Sequence, residues 1–176
     1  MTDINQVQEH ISTWVNNCLS IPHPELAGFP ICPYSKKALL DNRVLIQWFD
    51  SSQLLNIITQ LPQIWQDDFD MVILATDPET ISYKTLTDLV MNANDTLSKV
   101  DLVALRDHPG SVIDIPRSAE STNGKYALVF LQRLSKLQEA SEQLSKLGYY
   151  QHWTEEELED SVNWRFRLLQ NVLHGK

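Results

Sequence analysis

Between residues 3 and 19 apolar positions recur at spacings of three and four. Ile4, Val7, Ile11, Trp14, Val15 and Cys18 fall on one face, which predicts a first helix capped by Thr2 or Asp3. The pattern then breaks. Residues 20–33 carry four prolines and a glycine, too many for a regular element. Ile21, Leu26, Phe29 and Ile31 lie among them, so this segment is expected to be irregular but pinned to the body of the protein. A short helix is predicted from about 34 to 41, with Asn42 as its stop. Arg43–Phe49, rich in strand formers, reads as a strand. Residues 52–61 read as a helix, with Pro62 opening a further turn through Trp65.

The continuous apolar run Met71-Val72-Ile73-Leu74-Ala75 predicts a second strand, Asp70–Thr76, buried on both faces. Asp77 and Pro78 open a helix to about Leu97, with an interruption near Ile81 and Ser82. Lys99–Leu105 is the third predicted strand. Residues 106–124 read as a second irregular stretch. Residues 125–147 read best as one long helix ending at Gly148, although a fourth strand could sit in 111–115 or 126–131. Thr154 with Glu157 forms a capping box for a last helix, whose buried stripe would be Leu158, Val162, Phe166, Leu169 and Leu173. Alternation of strand and helix at these lengths predicts one α/β domain over 1–176. It has a three- to five-stranded sheet, helices packed on it and further helices at both termini.

Charge narrows the partners. Lysine and arginine total 14 against 23 aspartates and glutamates, a formal charge of -9. Such a chain repels nucleic-acid phosphate and anionic membranes, so a small molecule or a protein is the expected partner. Five glycines argue against a glycine-rich nucleotide cradle. No basic, apolar leader and no run of about 18 apolar residues is present, so a soluble cytoplasmic protein with free thiols at Cys18 and Cys32 is expected.

The candidate chemistry starts at Cys32. Pro30 and Pro33 fix the backbone on either side of it, and the predicted helix start behind it, with Lys36 and Lys37, would favour a thiolate. The stretch after the third strand gathers Arg106, Asp107, His108, Asp114, Arg117 and Ser118, where ligands of open α/β sheets are usually held. These residues support three functional readings. In the first, Cys32 and the 106–118 stretch line a cleft for thiol-dependent chemistry on a small molecule or protein. Cys32 is the nucleophile, His108 the proton acceptor, Asp107, Asp114 or His23 the supporting group, and Arg106, Arg117, Ser118 and Lys36 bind the ligand. In the second, the protein is a non-catalytic accessory or interaction module. Its face would be the aromatics Tyr149, Tyr150, Trp153 and Trp164, with Cys32 a packed structural thiol. In the third, His108 and Cys32 with an aspartate hold a metal. No ligand spacing in the sequence names a metal site, and no cofactor is identified. His108, which precedes a proline, also suits a plain structural role, bonding a carbonyl at the strand exit.

Cys32-Pro33-Tyr34-Ser35 resembles the redox motif of glutaredoxins, in which such a tetrapeptide opens a helix. The likeness is confined to this motif and Lys36-Lys37-Ala38. A wider resemblance joins Trp14, Cys32-Pro33-Tyr34-Ser35, His108-Pro109 and Pro116-Arg117-Ser118. This order is similar to that of a bacterial family of uncharacterised proteins marked by an early Cys-Pro-Phe-Ala motif and a later His-Pro motif. Tyr34 and Ser35 stand where that family has Phe and Ala. The resemblance implies no particular reaction.

Overall fold

The computed structural model describes residues 2–65, 68–111 and 121–175. Its centre is a four-stranded mixed sheet of β1 (Val44–Trp48), β2 (Met71–Thr76), β3 (Leu102–Asp107) and β4 (Ala127–Arg133), in the order β1-β2-β4-β3. β1 and β2 are parallel, and β4 runs antiparallel to both of its neighbours, β2 and β3.

Alternation along these strands gives the sheet two apolar faces. Val72, Leu74, Ala104, Val129 and Leu131 point to one. It is covered by α3 (Leu54–Ile64), through Leu54, Ile58 and Leu61, and by α4 (Tyr83–Leu97), through Leu86, Val90 and Leu97. Ile46, Ile73, Ala75 and Leu128 point to the other, where Val7, Ile11 and Val15 of the first helix pack. That helix, α1 (Ile4–Trp14), is capped by the Asp3 carboxylate on the Asn5 amide and widens into a π turn at Val15–Leu19.

A third cluster lies off the sheet. Leu26 of the proline-rich segment, fully enclosed, packs with Leu144 and Tyr149, flanked by Phe29, Ile31, Tyr150 and Trp153. Burying one leucine this completely is worth about 2 kcal/mol, enough to hold an irregular segment in place. The cluster thus ties residues 26–31 to α5 (Leu134–Lys146) and the turn after it. The last part of the chain is α6 (Glu155–Leu158), a π turn at Glu159–Asn163 and α7 (Trp164–Leu173). Thr154 and Glu157 form the expected capping box.

Several expectations are corrected. Residues 127–133 are a strand, the fourth one left open at 126–131, and not the start of a long helix. Ala127, Val129 and Leu131 face the α3–α4 layer while Leu128 and Phe130 face α1, so this short apolar run is buried on both sides. β3 starts at Leu102, after a left-handed Asp101, and extends through Arg106 and Asp107, which are therefore strand residues and not loop residues. Asp101 also accepts from the Ser135 amide and hydroxyl, holding the start of α5. α3 runs through Pro62, which sits in its last turn, rather than stopping before it. The π turn at 159–163 inserts a residue into the helical repeat and rotates the helix beyond it. Arg165 is turned inward, 6% exposed, and Phe166 outward, 44% exposed, the reverse of the predicted stripe.

Candidate functional site

Opposite the α3–α4 layer the sheet is not fully covered. A cavity of about 570 Å³ lies on this face, floored by Val44, Met71, Ile73, Phe130 and Gln132. Its walls come from Trp14 and Leu19 at the end of α1, from the segment running from Cys32 into α2 (Ser35–Leu40), and from Leu137 and Ala140 of α5. Asp160 and Ser161 of the C-terminal π turn complete one side, and Arg106, Asp107 and His108 the strand-exit side. The cavity therefore spreads across the sheet face instead of being confined to the crevice beyond the strand ends.

Cys32 is held by its surroundings on both sides. Its amide donates to the Leu19 carbonyl at 2.9 Å. The buried Tyr149 hydroxyl donates to the Ile31 carbonyl at 2.6 Å and lies 3.1 Å from that of Pro30. Pro22 and Pro30 form a β-bridge across the loop. The Ser35 hydroxyl donates to the Cys32 carbonyl at 2.9 Å. Burial pushes the Cys32 thiol up, although the Ser35 hydroxyl and the Tyr34 and Ser35 amides pull the other way. The start of α2 thus acts on the thiol in the expected direction, but desolvation outweighs it. Neither Cys18 nor Cys32 forms a disulfide.

His108 is buried and occupied at both ring nitrogens. Nε2 lies 2.9 Å from the Ile81 carbonyl and Nδ1 2.8 Å from the Gly110 amide. A carbonyl can only accept and an amide can only donate, so the ring is neutral, protonated on Nε2. The turn is tight: a Cβ at Gly110 would come within 3.1 Å of Nδ1. Such a ring has no nitrogen left to take a proton from a thiol, and the structural reading of His108 describes it better.

Asp107 spends one oxygen on Asn123, accepting its backbone amide at 2.8 Å and its side-chain amide at 2.6 Å. Asn123 in turn binds the Lys125 and Tyr126 amides and the Tyr126 carbonyl, shaping the turn into β4. Arg106 donates from Nε to the Thr87 hydroxyl at 2.7 Å and from Nη2 to the Tyr83 hydroxyl at 3.0 Å, with its guanidinium over the Tyr83 ring. No carboxylate among the described residues pairs with it. The structure thus brings Cys32, Arg106, Asp107 and His108 to one cavity. Lys36 is exposed on α2 and does not line the cavity, whereas Lys37, ion-paired with Asp41, does. Arg117, Ser118 and Asp114 lie outside the described residues. His23 is half-buried and accepts from the Glu25 amide.

Other residues at the site are not singled out as candidate site residues by the sequence. Trp14, which donates to the Ser121 carbonyl at 2.9 Å, and Phe130 read as ordinary core positions. Arg165, outside the predicted buried stripe, is nevertheless a buried residue; it donates from Nε to the Ser161 carbonyl at 2.6 Å and makes no ion pair among the described residues. Desolvation lowers its pKa to about 10. Tyr149, Tyr150 and Trp153 are packed on one another and on Phe29 rather than displayed as an interaction face. Among the described residues no group of three His, Cys, Asp or Glu side chains is placed to hold a metal ion, and no helix is long and apolar enough to cross a membrane.

Compared with protein families, with curated proteins and with solved structures, the chain matches none of them.

Proposed function

We propose that the protein binds a small, largely apolar molecule in the cavity between the sheet and the segment carrying Cys32. The observation that carries this reading is the cavity itself. Its volume is that of a site for a small organic ligand, and its floor of Val44, Met71, Ile73 and Phe130 is hydrophobic, with charged groups such as Lys37, Asp70, Arg133 and Lys136 also in its lining. A neutral apolar probe, octan-1-ol, tests it by calorimetry. Saturable binding of one molecule per chain is expected, with loss of binding in an Ala140→Trp protein whose indole fills the space. No binding, or equal binding by both proteins, overturns the reading.

A second reading keeps thiol-dependent chemistry at Cys32. It is favoured by the Ser35 hydroxyl and the Tyr34 and Ser35 amides, which all stabilise a negative sulfur. In this reading the thiolate forms only when a bound ligand alters the surroundings of the thiol, and some group other than His108 takes the proton. Alkylation of Cys32 that becomes faster on ligand binding would support it. Alkylation that ligand only slows assigns Cys32 to the wall of a binding site.

A further inference from the structure

We propose that the outer edge of β1 pairs with the same edge of a second copy of this chain, joining two four-stranded sheets across a two-fold axis.

The phase of the β1–β2 ladder fixes which backbone groups lie on that edge. The Phe49 amide donates to the Ala75 carbonyl, and the Arg43 carbonyl accepts from the Met71 amide. Residues 43, 45, 47 and 49 therefore bond to β2, and Val44, Ile46 and Trp48 turn their amides and carbonyls outward. Among the described residues these outward groups have no hydrogen-bond partner. Ile46 is only 7% exposed, so its unpaired groups also have little access to water, a condition proteins rarely tolerate.

The opposite edge of the sheet is closed from within the chain. On β3 the outward carbonyl and amide of Ala104 are both taken by the Asn94 side chain, at 2.9 and 2.7 Å. Asn94 belongs to α4 and is buried, so its amide group stands in for a neighbouring strand. β1 has no such device. It reads Val-Leu-Ile-Gln-Trp, without the charge, proline or bulge that usually blunts an exposed edge. At one end Ile4 with Gln47, Trp48 and Phe49 lines an open hollow. The other end follows α2, whose last residue, Leu40, is 74% exposed.

A second copy fits this edge because the edge is self-complementary. The outward residues are spaced evenly about Ile46. An antiparallel copy with Ile46 opposite Ile46 sets Val44 against Trp48 in both directions, and all three pairs exchange both of their bonds, about six in all. No charge lies within the paired segment to repel its copy. Just beyond it, Arg43 of one copy falls opposite Phe49 and beside Asp50 of the other, so the charges that meet at each end are opposite in sign. Such a contact closes on itself and stops at the dimer.

The test is sedimentation of the full chain from about 1 µM to 1 mM, with amide exchange followed at both ends of that range. A dimer of the 20.2 kDa chain is expected to dominate at the upper end. As it forms, exchange at Val44, Ile46 and Trp48 should slow by about tenfold or more, while Leu45 and Gln47, already bonded to β2, stay protected throughout. Gln47→Lys, at an exposed position of this strand, sets two lysines diagonally across the pairing and is expected to weaken the dimer about tenfold. Val44→Pro deletes an outward amide at the first residue of the strand, where proline is tolerated, and should weaken it likewise if the lysine protein fails to fold. Gln60→Lys, the same charge change at an exposed position of α3, should leave the dimer intact. A monomer whose three outward amides exchange alike at every concentration overturns the proposal and leaves the edge to a strand of some other protein. A dimer indifferent to both β1 variants, or growth past the dimer without a plateau, also overturns it.

Discussion

The Tyr149 hydroxyl donates to the Ile31 carbonyl at 2.6 Å, a hydrogen bond across 118 residues. It joins the turn after α5 to the residue just before Cys32. The ring beneath it is packed edge-on against Phe29. The position of Cys32 is thus set by the far end of the chain. Tyr149→Phe removes the donor and leaves the ring. We expect a loss of about 1–2 kcal/mol in urea unfolding, and faster alkylation of Cys32 in the native protein as its loop loosens. An unchanged alkylation rate would show that Leu26 packing and the Leu19–Cys32 hydrogen bond hold the loop without it.

His108 is predicted to contribute stability through both of its nitrogens. His108→Ala leaves the Ile81 carbonyl and the Gly110 amide without their partner, and about 2–3 kcal/mol should be lost. Its effect on octan-1-ol affinity should be small by comparison. A large drop in affinity with unchanged stability would contradict this and return His108 to the binding machinery.

For Cys32 the prediction concerns alkaline pH. A thiol whose pKa is raised by folding is protonated in the native state after the unfolded chain has begun to ionise. Its contribution is therefore complete below the unfolded value of about 8.5 and is lost as pH rises above it toward the folded value. Native alkylation should show a midpoint above about 8.5, read by mass spectrometry peptide by peptide. Cys32→Ala should flatten the alkaline limb of the stability curve. A midpoint near 7 would contradict the burial of the thiol.

At acid pH the pair to watch is Arg43 and Asp70, which form a two-pronged contact with both distances at 2.8 Å. The Arg43 guanidinium holds the Asp70 carboxyl below the usual aspartate range. A depressed carboxylate stabilises the fold above its unfolded pKa of about 3.9, and that contribution is lost as pH falls below it toward the folded value. Both side chains are partly exposed, so solvent and salt weaken the effect. Thermal melts from pH 7 to 2.5 should show a shallower acid decline for Arg43→Met than for the unaltered protein. Parallel curves would assign the acid limb to Glu159 with Arg167 and to Asp50 with Ser52, where carboxyls are depressed too.

Where local pattern and tertiary packing agree, the elements are readable from sequence. Met71–Ala75 is apolar throughout because a strand between two neighbours is covered on both faces. Thr154 and Glu157 make their capping contacts within four residues, and the break at Ile81–Ser82 precedes a new cap on Thr85. β4 is not readable in the same way. Ala127–Leu131 is buried on both sides, which removes the alternation, and it runs directly into the true helix α5. At the site, the proline-fixed Cys32 and the polar group after β3 do meet one cavity. Their hydrogen-bond partners, Ile81 for His108 and Asn123 for Asp107, come from elsewhere in the chain and decide what they can do. Arg165 is hidden by the π turn before it, a one-residue phase shift that no periodicity reveals.

The strand order has a consequence for synthesis on the ribosome. β1, β2 and β3 are made first, with their two crossover helices, yet the space between β2 and β3 stays unfilled until residues 127–133 emerge. Until then two inner strand edges stand open, the condition under which nascent chains pair with the wrong partner. A chain truncated before Ala127 should therefore aggregate rather than persist as a smaller folded unit.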